Sequence, residues 1–475
     1  MTATPTSTDR YPVAAMTAII LASLVVLMDT TFIVLSLPEI SADLGSGAEW
    51  AIPVFLMAMG ISQLAVGWAA DRFRQKQVFI AAAAGFGLFS IAVAASVSLG
   101  WLIAARSLQG LCAGLIVPLA TSIAFGMFPE GRRATAVGIS GTVVMLGPLI
   151  APLLSGWVLE AANWRVLILI DVPFAAAVVV LGRRAIPEDP AEEVSRARRF
   201  DTVGLAIVAT GLIALLLGFG AADSWPVLVT SVICALGVAM LAAYPAHARR
   251  TVHPLIDMSI FDVPAFRLVL GIVAAVAVAQ FARTVFIPLE LQSLRGLSPM
   301  ETGLALLPAA VASAAAMPLG GRWTDRTGGR PPVTLGLALV VVSSLAFGAL
   351  RVDTPLGVVI TLMVVNNVGI VLCTMPLVVM GLSAVVSRLV PQASALRSLT
   401  RQVSGALGTA VLATIITAQV GELTFTTATD AELTDAQAAY NRGFLVSAGI
   451  AAVGLVLTRF LPGRSEHREA SLMLE

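Results

Sequence analysis

The stretch GWAADRFRQK, from Gly67 to Lys76, recurs in outline as GRWTDRTGGR, from Gly321 to Arg330. Both copies carry the pattern G-x-x-x-D-R, and each stands in a short basic segment between two long apolar runs. The same motif in the same setting, twice along one chain, indicates an internal repeat. The sequence therefore predicts two related halves that run in the same direction.

The composition places these halves in a lipid bilayer. Of the 475 residues, 58% are hydrophobic and only 12% are charged, and the mean hydropathy is +0.92. A water-soluble chain of this length could not bury so much apolar surface. The net charge of +1 gives no reason to expect a nucleic-acid partner. Lys76 is the only lysine among 29 basic residues, a bias that we interpret as typical of a high-GC bacterium.

Apolar windows of about 20 residues, the length that a helix needs to cross the hydrocarbon core, occur fourteen times. They lack the alternation of a transmembrane β-barrel, so all are predicted to be helices. The predicted spans lie near residues 13–37, 50–70, 78–98, 101–126, 134–158, 164–182, 202–221, 225–245, 265–289, 300–320, 332–350, 355–380, 393–419 and 440–461.

An even number of spans places both termini on one side of the membrane, and the Arg and Lys content of alternate loops indicates which side. Only Arg165, Arg295, Arg351 and Arg442 stand in the loops of one side, whereas most other basic residues stand in the termini and the loops of the other. We therefore expect a multi-pass protein of the cell membrane with both termini in the cytoplasm.

Both motif copies lie between the second and third spans of a six-span block. We therefore predict an all-α polytopic membrane protein with fourteen transmembrane helices. A six-helix bundle covers residues 1–182, a linker with two inserted helices covers 183–264, and a second six-helix bundle covers 265–475. Parallel halves with a binding site near the midplane are an architecture of secondary transporters. We expect a monomer with a small-molecule substrate.

The energy source is predicted by what the chain lacks. A phosphate-binding loop requires a lysine after its glycines, and the only lysine stands in RQKQ. The three cysteines lie in apolar runs and imply neither a disulfide framework nor a metal site. We therefore expect no enzymatic reaction and no cofactor or metal, with a proton or sodium gradient as the driving force.

Coupling to protons requires a carboxyl group inside the membrane. Asp29 lies in the apolar run VVLMDTTFIVLSLPEI, from Val25 to Ile40, about 12 Å from the outer end of its span, and Arg106 lies about 8 Å from the outer start of span four. Two opposite charges at similar depth are expected to face each other or a wet cavity. The pair can carry proton exchange, or it can be an ion pair that only joins two helices.

Five segments, in order along the chain, resemble motifs of the fourteen-span drug:proton antiporters of the major facilitator superfamily. They are MDTTFIVLSLP (Met28 to Pro38), GWAADRFRQK (Gly67 to Lys76), LIAARSLQG (Leu102 to Gly110), GTVVMLGPLIAP (Gly141 to Pro152) and NWRVLILIDVP (Asn163 to Pro173). The resemblance covers most of the chain. It implies the major facilitator fold, with Arg106 as the arginine of the fourth-span proton-coupling motif.

Some residues depart from these motifs. Arg74 and Gln75 stand where the loop motif favours glycine and a basic residue. Ala151 and Pro152 stand where the fifth-span motif favours two glycines, although Gly147 and Pro148 are kept. Asp171 replaces the usual asparagine of the sixth-span signature. Asp171 is a candidate for a second proton site, although the sixth span packs outside the cavity in this fold; the alternative is a structural acid.

The loop motif predicts a gate latch. Asp71, followed by Arg72 and Lys76, can form charge-assisted hydrogen bonds to neighbouring helix ends in one conformation and release them in another. Cytoplasmic loops are rich in Arg and Lys in any case, and this rule explains part of the basic residues in the motif. The gating candidates in the two copies and in the fifth span are Gly67, Asp71, Arg72, Lys76, Gly147, Pro148, Gly321, Asp325 and Arg326.

Polar residues within the later spans predict a substrate cavity. In AQFARTVFIPLE, Gln280, Arg283 and Phe286 share a helix face, with Glu290 slightly further round as an expected partner of Arg283. Asn366 and Asn367 are adjacent amides in span twelve. Substrate contact and ordinary interhelical hydrogen bonding explain them equally well. The cavity candidates are Gln280, Arg283, Phe286, Glu290, Asn366 and Asn367.

Together these features predict proton-coupled efflux of amphipathic organic compounds, such as drugs, dyes and antibiotics, by alternating access. Asp29 would bind either a proton or a positive partner, and this competition would couple the two fluxes. One alternative is an exporter of a single endogenous metabolite or self-made antibiotic. Another is a membrane sensor or scaffold that binds a ligand without moving it.

Overall fold

The computed structural model describes residues 13–45, 47–128, 132–134, 147–188, 200–220, 226–297, 299–420 and 430–462. Nearly all of these residues are helical. In chain order the helices are α1 (Val13–Leu44), α2 (Ala51–Leu64), α3 (Val66–Phe73), α4 (Gln75–Ala94), α5 (Leu99–Gly126), α6 (Gly147–Ala161), α7 (Trp164–Leu169), α8 (Asp171–Ala185), α9 (Thr202–Gly220), α10 (Val227–Ala248), α11 (Pro264–Ser293), α12 (Pro299–Thr327), α13 (Arg330–Phe347), α14 (Leu356–Ser383), α15 (Val390–Val420) and α16 (Asp430–Leu457).

Each of the fourteen predicted spans overlaps one of these helices or two consecutive ones. Among the described residues, ten helical segments are long and apolar enough to cross a membrane, and α2 with α3, bent by 54°, brings the number to eleven. The prediction of an all-α polytopic membrane protein is thereby confirmed. The first part of the fifth-span motif, residues 141–146, lies outside the described residues.

The chain divides into two compact units. The first consists of Met1–Ser62, Ala69–Met127 and Gly147–Ala197, and the second of Gln63–Trp68, Phe128–Leu146 and Arg198–Glu475. The domain boundaries at residues 182 and 264 stay a prediction.

Helix α1 is central to the first unit, where it packs against α5, α6, α7 and α8, and α4 packs against α5 and α8. An apolar core that includes Phe32, Leu102 and Trp164 fills the space between these helices. Side-chain caps fix where two of the helices begin: Ser98 accepts a hydrogen bond from the Trp101 amide, and Asn163 accepts one from the Val166 amide. These contacts satisfy backbone amides that have no acceptor within the first turn of α5 and α7.

Helices α2 and α5 approach each other through glycine. A Cβ atom added at Gly114 would collide with the main-chain oxygen of Met59 and with Oγ of Ser62, and one at Gly110 would collide with the oxygen of Phe55. Small residues four apart let membrane helices pack backbone to backbone. The sequence GLCAG thus brings α5, which carries Arg106, against α2.

We expect Gly114→Ala to destabilise the protein by about 1–3 kcal/mol or more, because the added methyl group forces the two backbones apart. The matched control is Gly126→Ala in the same helix, where an added Cβ meets open space. Thermal unfolding of the purified protein in detergent measures the difference. Equal melting temperatures for the two variants would contradict the close approach.

In the second unit α11 packs against α14, α15 and α16, while α13 packs against α14 and α16. Stacked rings of Phe347 and Phe444, with centroids 5.0 Å apart, mark one part of its core. Helices α9 and α10 form a pair beside this group.

Asp201 ties the α9 and α10 pair to the segment that leads into α11. Its carboxylate accepts hydrogen bonds from the Gly204 amide at 2.7 Å and the Leu255 amide at 3.1 Å, and it lies 2.9 Å from Nε2 of His247. Burial alone would raise the pKa of Asp201, but the bonds from Gly204, His247 and Leu255 hold that pKa below its ordinary value. The carboxylate is therefore a structural anchor outside the helices.

Candidate functional site

The structure brings Asp29 of α1 and Arg106 of α5 together in the first unit. Nη1 of Arg106 lies 2.8 Å and 3.0 Å from the two carboxylate oxygens of Asp29, and the two residues are 1% and 0% exposed. The guanidinium also stacks over the ring of Phe55 at 4.2 Å and donates to the main-chain oxygen of Ala51 at 3.4 Å. The ion pair is therefore shielded from solvent and held on several sides.

Gln109 completes a polar network around the pair. Its Oε1 accepts a hydrogen bond from Arg106 at 2.6 Å, and its Nε2 donates to Asp29 at 3.1 Å and to Oγ of Ser90 at 2.9 Å. Gln109 and Ser90 are both fully buried. Helices α1, α4 and α5 thus each contribute one or two polar side chains to a single buried cluster.

This cluster has the chemistry of a switch. An ionised carboxylate can stay buried here because Arg106 compensates its charge and Gln109 donates a hydrogen bond to it. A proton bound to Asp29 would remove that charge and leave Arg106 without its anionic partner, which is unfavourable unless the guanidinium finds another one. Protonation and ion pairing at Asp29 therefore exclude each other.

Asp171 adds a second acid to the cluster. It is the first residue of α8, which packs on α1 and α4, and it is 0% exposed. Asp29, Arg106 and Ser90 are its polar neighbours. The structure thus brings together all three residues that the sequence proposes for proton coupling.

The first copy of the loop motif lies where α3 meets α4. Asp71 is buried and Lys76 lies 3.5 Å from Glu188, which follows α8. Arg74 also pairs with Glu188, at 3.1 Å. The pairing with Glu188 is compatible with a latch between helix ends; the latch, together with the part of Arg72 in it, stays a prediction.

The backbone at Arg74 explains why the motif favours glycine there. Arg74 has φ of +67°, in the left-handed region, and the matching residue of the second copy, Gly328, has φ of +84°. A side chain in this region costs about 1–2 kcal/mol relative to glycine. Both copies therefore have a positive φ at this position, and the first copy has there a residue that is strained by it.

The other gating candidates contact different parts of the chain. A Cβ added at Gly67 would lie 3.1 Å from Cβ of Gln392, and the Asp325 carboxylate accepts a hydrogen bond from the Ala134 amide at 3.1 Å. Gly321 is buried and Arg326 is exposed, both at the end of α12 that carries Asp325.

Gly147 lies at the start of α6, where an added Cβ would come 3.1 Å from Cδ1 of Leu24 in α1. This contact fits a seal between the fifth span and a neighbour through small residues. Pro148 follows within the same helix, and its side chain lies outside the described part.

The expected pairing of Arg283 with Glu290 is wrong. Oε1 of Glu290 lies 3.7 Å from Arg295 and 3.3 Å from Nε2 of Gln437, whereas the Arg283 guanidinium contacts Thr284 at 3.4 Å. Seven residues of helix separate the two expected partners by about 10 Å. Arg295 stands just beyond the end of α11 and reaches back to Glu290.

The remaining cavity candidates do not gather at one place. Phe286 packs in an apolar core and Gln280 is half-buried. Asn366 donates to Oγ of Ser343 at 2.9 Å, and Asn367 donates to the main-chain oxygen of Ala309 at 3.1 Å. For these two residues the structure favours interhelical hydrogen bonding.

A cavity of about 520 Å³ lies in the second unit between the Leu350–Asp353 segment and α16. Gln437 lines this cavity and also donates to Glu290 behind it. Glu290, one of the cavity candidates, is thus linked to this cavity by one hydrogen bond from Gln437.

Sequence reasoning missed Gln109, Ser90 and Phe55. Gln109 follows Arg106 by three residues and so shares its helix face, a signal that was present. Ser90 and Phe55 carry no such signal, because serine and phenylalanine are common in membrane helices and only the packing of α2 and α4 on α5 selects them.

Comparison with known proteins adds an independent line of evidence. The sequence profile of the Major Facilitator Superfamily matches residues 19–409. The chain is 28% identical to the multidrug resistance protein B homolog of Mycobacterium tuberculosis strain CDC 1551 over 412 residues, which are 84% of this chain and 75% of the relative. It is 31% identical to the puromycin resistance protein pur8 of Streptomyces alboniger over 413 residues, 84% of this chain and 80% of that one.

Solved structures agree on the fold. A structure of the proton:xylose symporter XylE superposes with a TM-score of 0.66 over 98% of this chain and 99% of the other, at 13% sequence identity. At that identity the likeness concerns the fold alone.

Proposed function

The chain belongs to the Major Facilitator Superfamily, and we propose that within it this protein is a proton-coupled exporter of amphipathic organic compounds. The observation that carries the proposal is the buried ion pair of Asp29 with Arg106, 2.8 Å apart and shielded from solvent. An ionisable pair inside a membrane is costly to keep, which favours a functional role over a purely structural one.

The coupling follows from the chemistry of the pair. Asp29 binds a proton from the outside when Arg106 is released, and it loses the proton when the site opens to the cytoplasm and the substrate enters. Because Asp29 cannot hold a proton and pair with Arg106 or a cationic substrate at the same time, proton binding and substrate binding compete, and this competition exchanges substrate for protons. In this scheme the side with the basic loops, and with it both termini, faces the cytoplasm.

The class of substrate is proposed from the relatives. A multidrug resistance protein homolog and a puromycin resistance protein support drugs and antibiotics as the substrates. The second of these also supports the alternative of an exporter dedicated to one antibiotic. A competition assay distinguishes a broad exporter from a dedicated one. It measures whether a cationic dye, a neutral compound and an acidic compound compete with each other for efflux.

The test uses the purified protein in proteoliposomes with ethidium as the probe. We expect ethidium to move against its gradient when a pH gradient is imposed, and to exchange across the membrane in counterflow without one. A protein that binds ethidium but shows no counterflow would be a sensor or scaffold. Counterflow without a response to the pH gradient would exclude proton coupling.

A further inference from the structure

A buried carboxyl group, that of Asp171, lies beside the Asp29–Arg106 pair. Both oxygens of Asp171 lack a hydrogen bond with normal geometry among the described residues, and the side chain is 0% exposed. Asp171 stands at the start of α8, with Asp29 on α1, Arg106 on α5 and Ser90 on α4 around it. Among the described residues, these are the charged or polar groups that act on its carboxyl group.

The charges in the cluster do not balance if both acids are ionised. Arg106 supplies one positive charge, and its Nη1 already contacts both carboxylate oxygens of Asp29. A second carboxylate would be a buried, unpaired charge next to a like charge, which is strongly unfavourable. The cluster reaches electrical neutrality with a proton on one of the two acids, and the ion pair assigns the ionised state to Asp29.

We propose that Asp171 and Asp29 form an acid pair in which Asp171 holds the proton and delivers it to Asp29. Only the use of this proton in substrate exchange rests on the proposed function; the acid pair itself does not. In the step itself the O–H bond of Asp171 breaks and an O–H bond forms on Asp29. The negative charge moves from Asp29 to Asp171, and no other reactant is required. Arg106 then loses its partner on α1 and gains one on α8.

The transfer gives the sixth span a part in the cycle. The proton moves within the buried cluster, and the guanidinium of Arg106 follows the charge from α1 towards α8. Asn at position 171, the residue that the sixth-span signature favours, could donate a hydrogen bond but could not hold or deliver a proton. This protein therefore has one more titratable site than the motif provides.

Infrared spectroscopy of the reconstituted protein at neutral pH tests the proposal without any substrate. A protonated carboxylic acid has a carbonyl-stretch band that a carboxylate lacks. We expect the wild-type spectrum to contain a band that is lost in Asp171→Asn. The matched control is Asp43→Asn on α1, where the carboxylate is 43% exposed and paired with Arg165, and where the band is expected to stay.

Asp29→Asn gives a second readout that a structural role would not produce. With Asp29 neutral, Asp171 becomes the anionic partner of Arg106, so the band is expected to disappear from this variant as well. A band of unchanged intensity in folded Asp171→Asn would overturn the proposal, as would one in folded Asp29→Asn. Thermal unfolding identifies the folded variants. If the protein moves no ethidium, the proposed function fails, but the infrared result still decides the acid pair.

Discussion

Replacing Asp29 by asparagine is expected to lower pH-gradient-driven efflux of ethidium by at least on the order of 100-fold, the scale on which a proton-transferring side chain contributes. Asparagine has nearly the same shape and can still accept hydrogen bonds from Arg106 and Gln109, but it cannot bind a proton. The initial rate of ethidium movement in proteoliposomes under an imposed pH gradient measures the loss. Counterflow, which needs no net proton movement, should be much less affected.

Asp43→Asn is the control for this variant, because it makes the same chemical change near the end of the same helix. Asp43 is 43% exposed and pairs with Arg165 rather than with a residue of the buried cluster. Efflux by Asp43→Asn should stay within about twofold of wild type, since exposed ion pairs contribute little. Wild-type rates for Asp29→Asn under the pH gradient would refute the role of Asp29.

Arg106→Gln is expected to destabilise the protein by about 3–5 kcal/mol, because it leaves the Asp29 carboxylate buried without a compensating charge. The double variant Asp29→Asn with Arg106→Gln should recover most of that loss, since it removes both charges together. Thermal unfolding in detergent at neutral pH provides the comparison. Transport driven by the pH gradient should be lost in both variants.

Arg165→Gln supplies the matched control. The Arg165 side chain is 35% exposed, so the loss of its ion pair with Asp43 should cost no more than about 1 kcal/mol. If Arg106→Gln were no less stable than Arg165→Gln, the buried pair would carry no structural energy. If the double variant were no more stable than Arg106→Gln, the loss would come from packing of the guanidinium on Phe55.

The order and approximate position of the membrane helices could be predicted from the sequence because hydrophobic length is a one-dimensional property. A window of about 20 apolar residues must become a helix in lipid, whatever its neighbours are. The contact between Asp29 and Arg106 could also be predicted, since a constant rise per residue converts position along each span into depth in the membrane. A charge in an apolar environment needs a partner, and an opposite charge at the same depth is the nearest one available.

Which way a side chain points around its helix was harder to predict. Glu290 pairs with Arg295 beyond the helix end, and Asn366 bonds to a neighbouring helix, because the rotation of each helix is set by packing against others. The place of Asp171 shows the same effect: α8 packs on α1 and α4 and brings this acid to Asp29, a proximity that the sequence does not indicate. At Arg74 the departure from glycine was visible, whereas the left-handed turn that it must adopt was not.

The exchange of protons for substrate is tested most directly by an outward ethidium gradient imposed on proteoliposomes that contain a pH-sensitive dye and start with equal pH on both sides. We predict that ethidium leaving the vesicles drives protons in and acidifies the lumen, and that Asp29→Asn vesicles show no such change. Ethidium movement by the wild-type protein with a constant internal pH would contradict proton-coupled export.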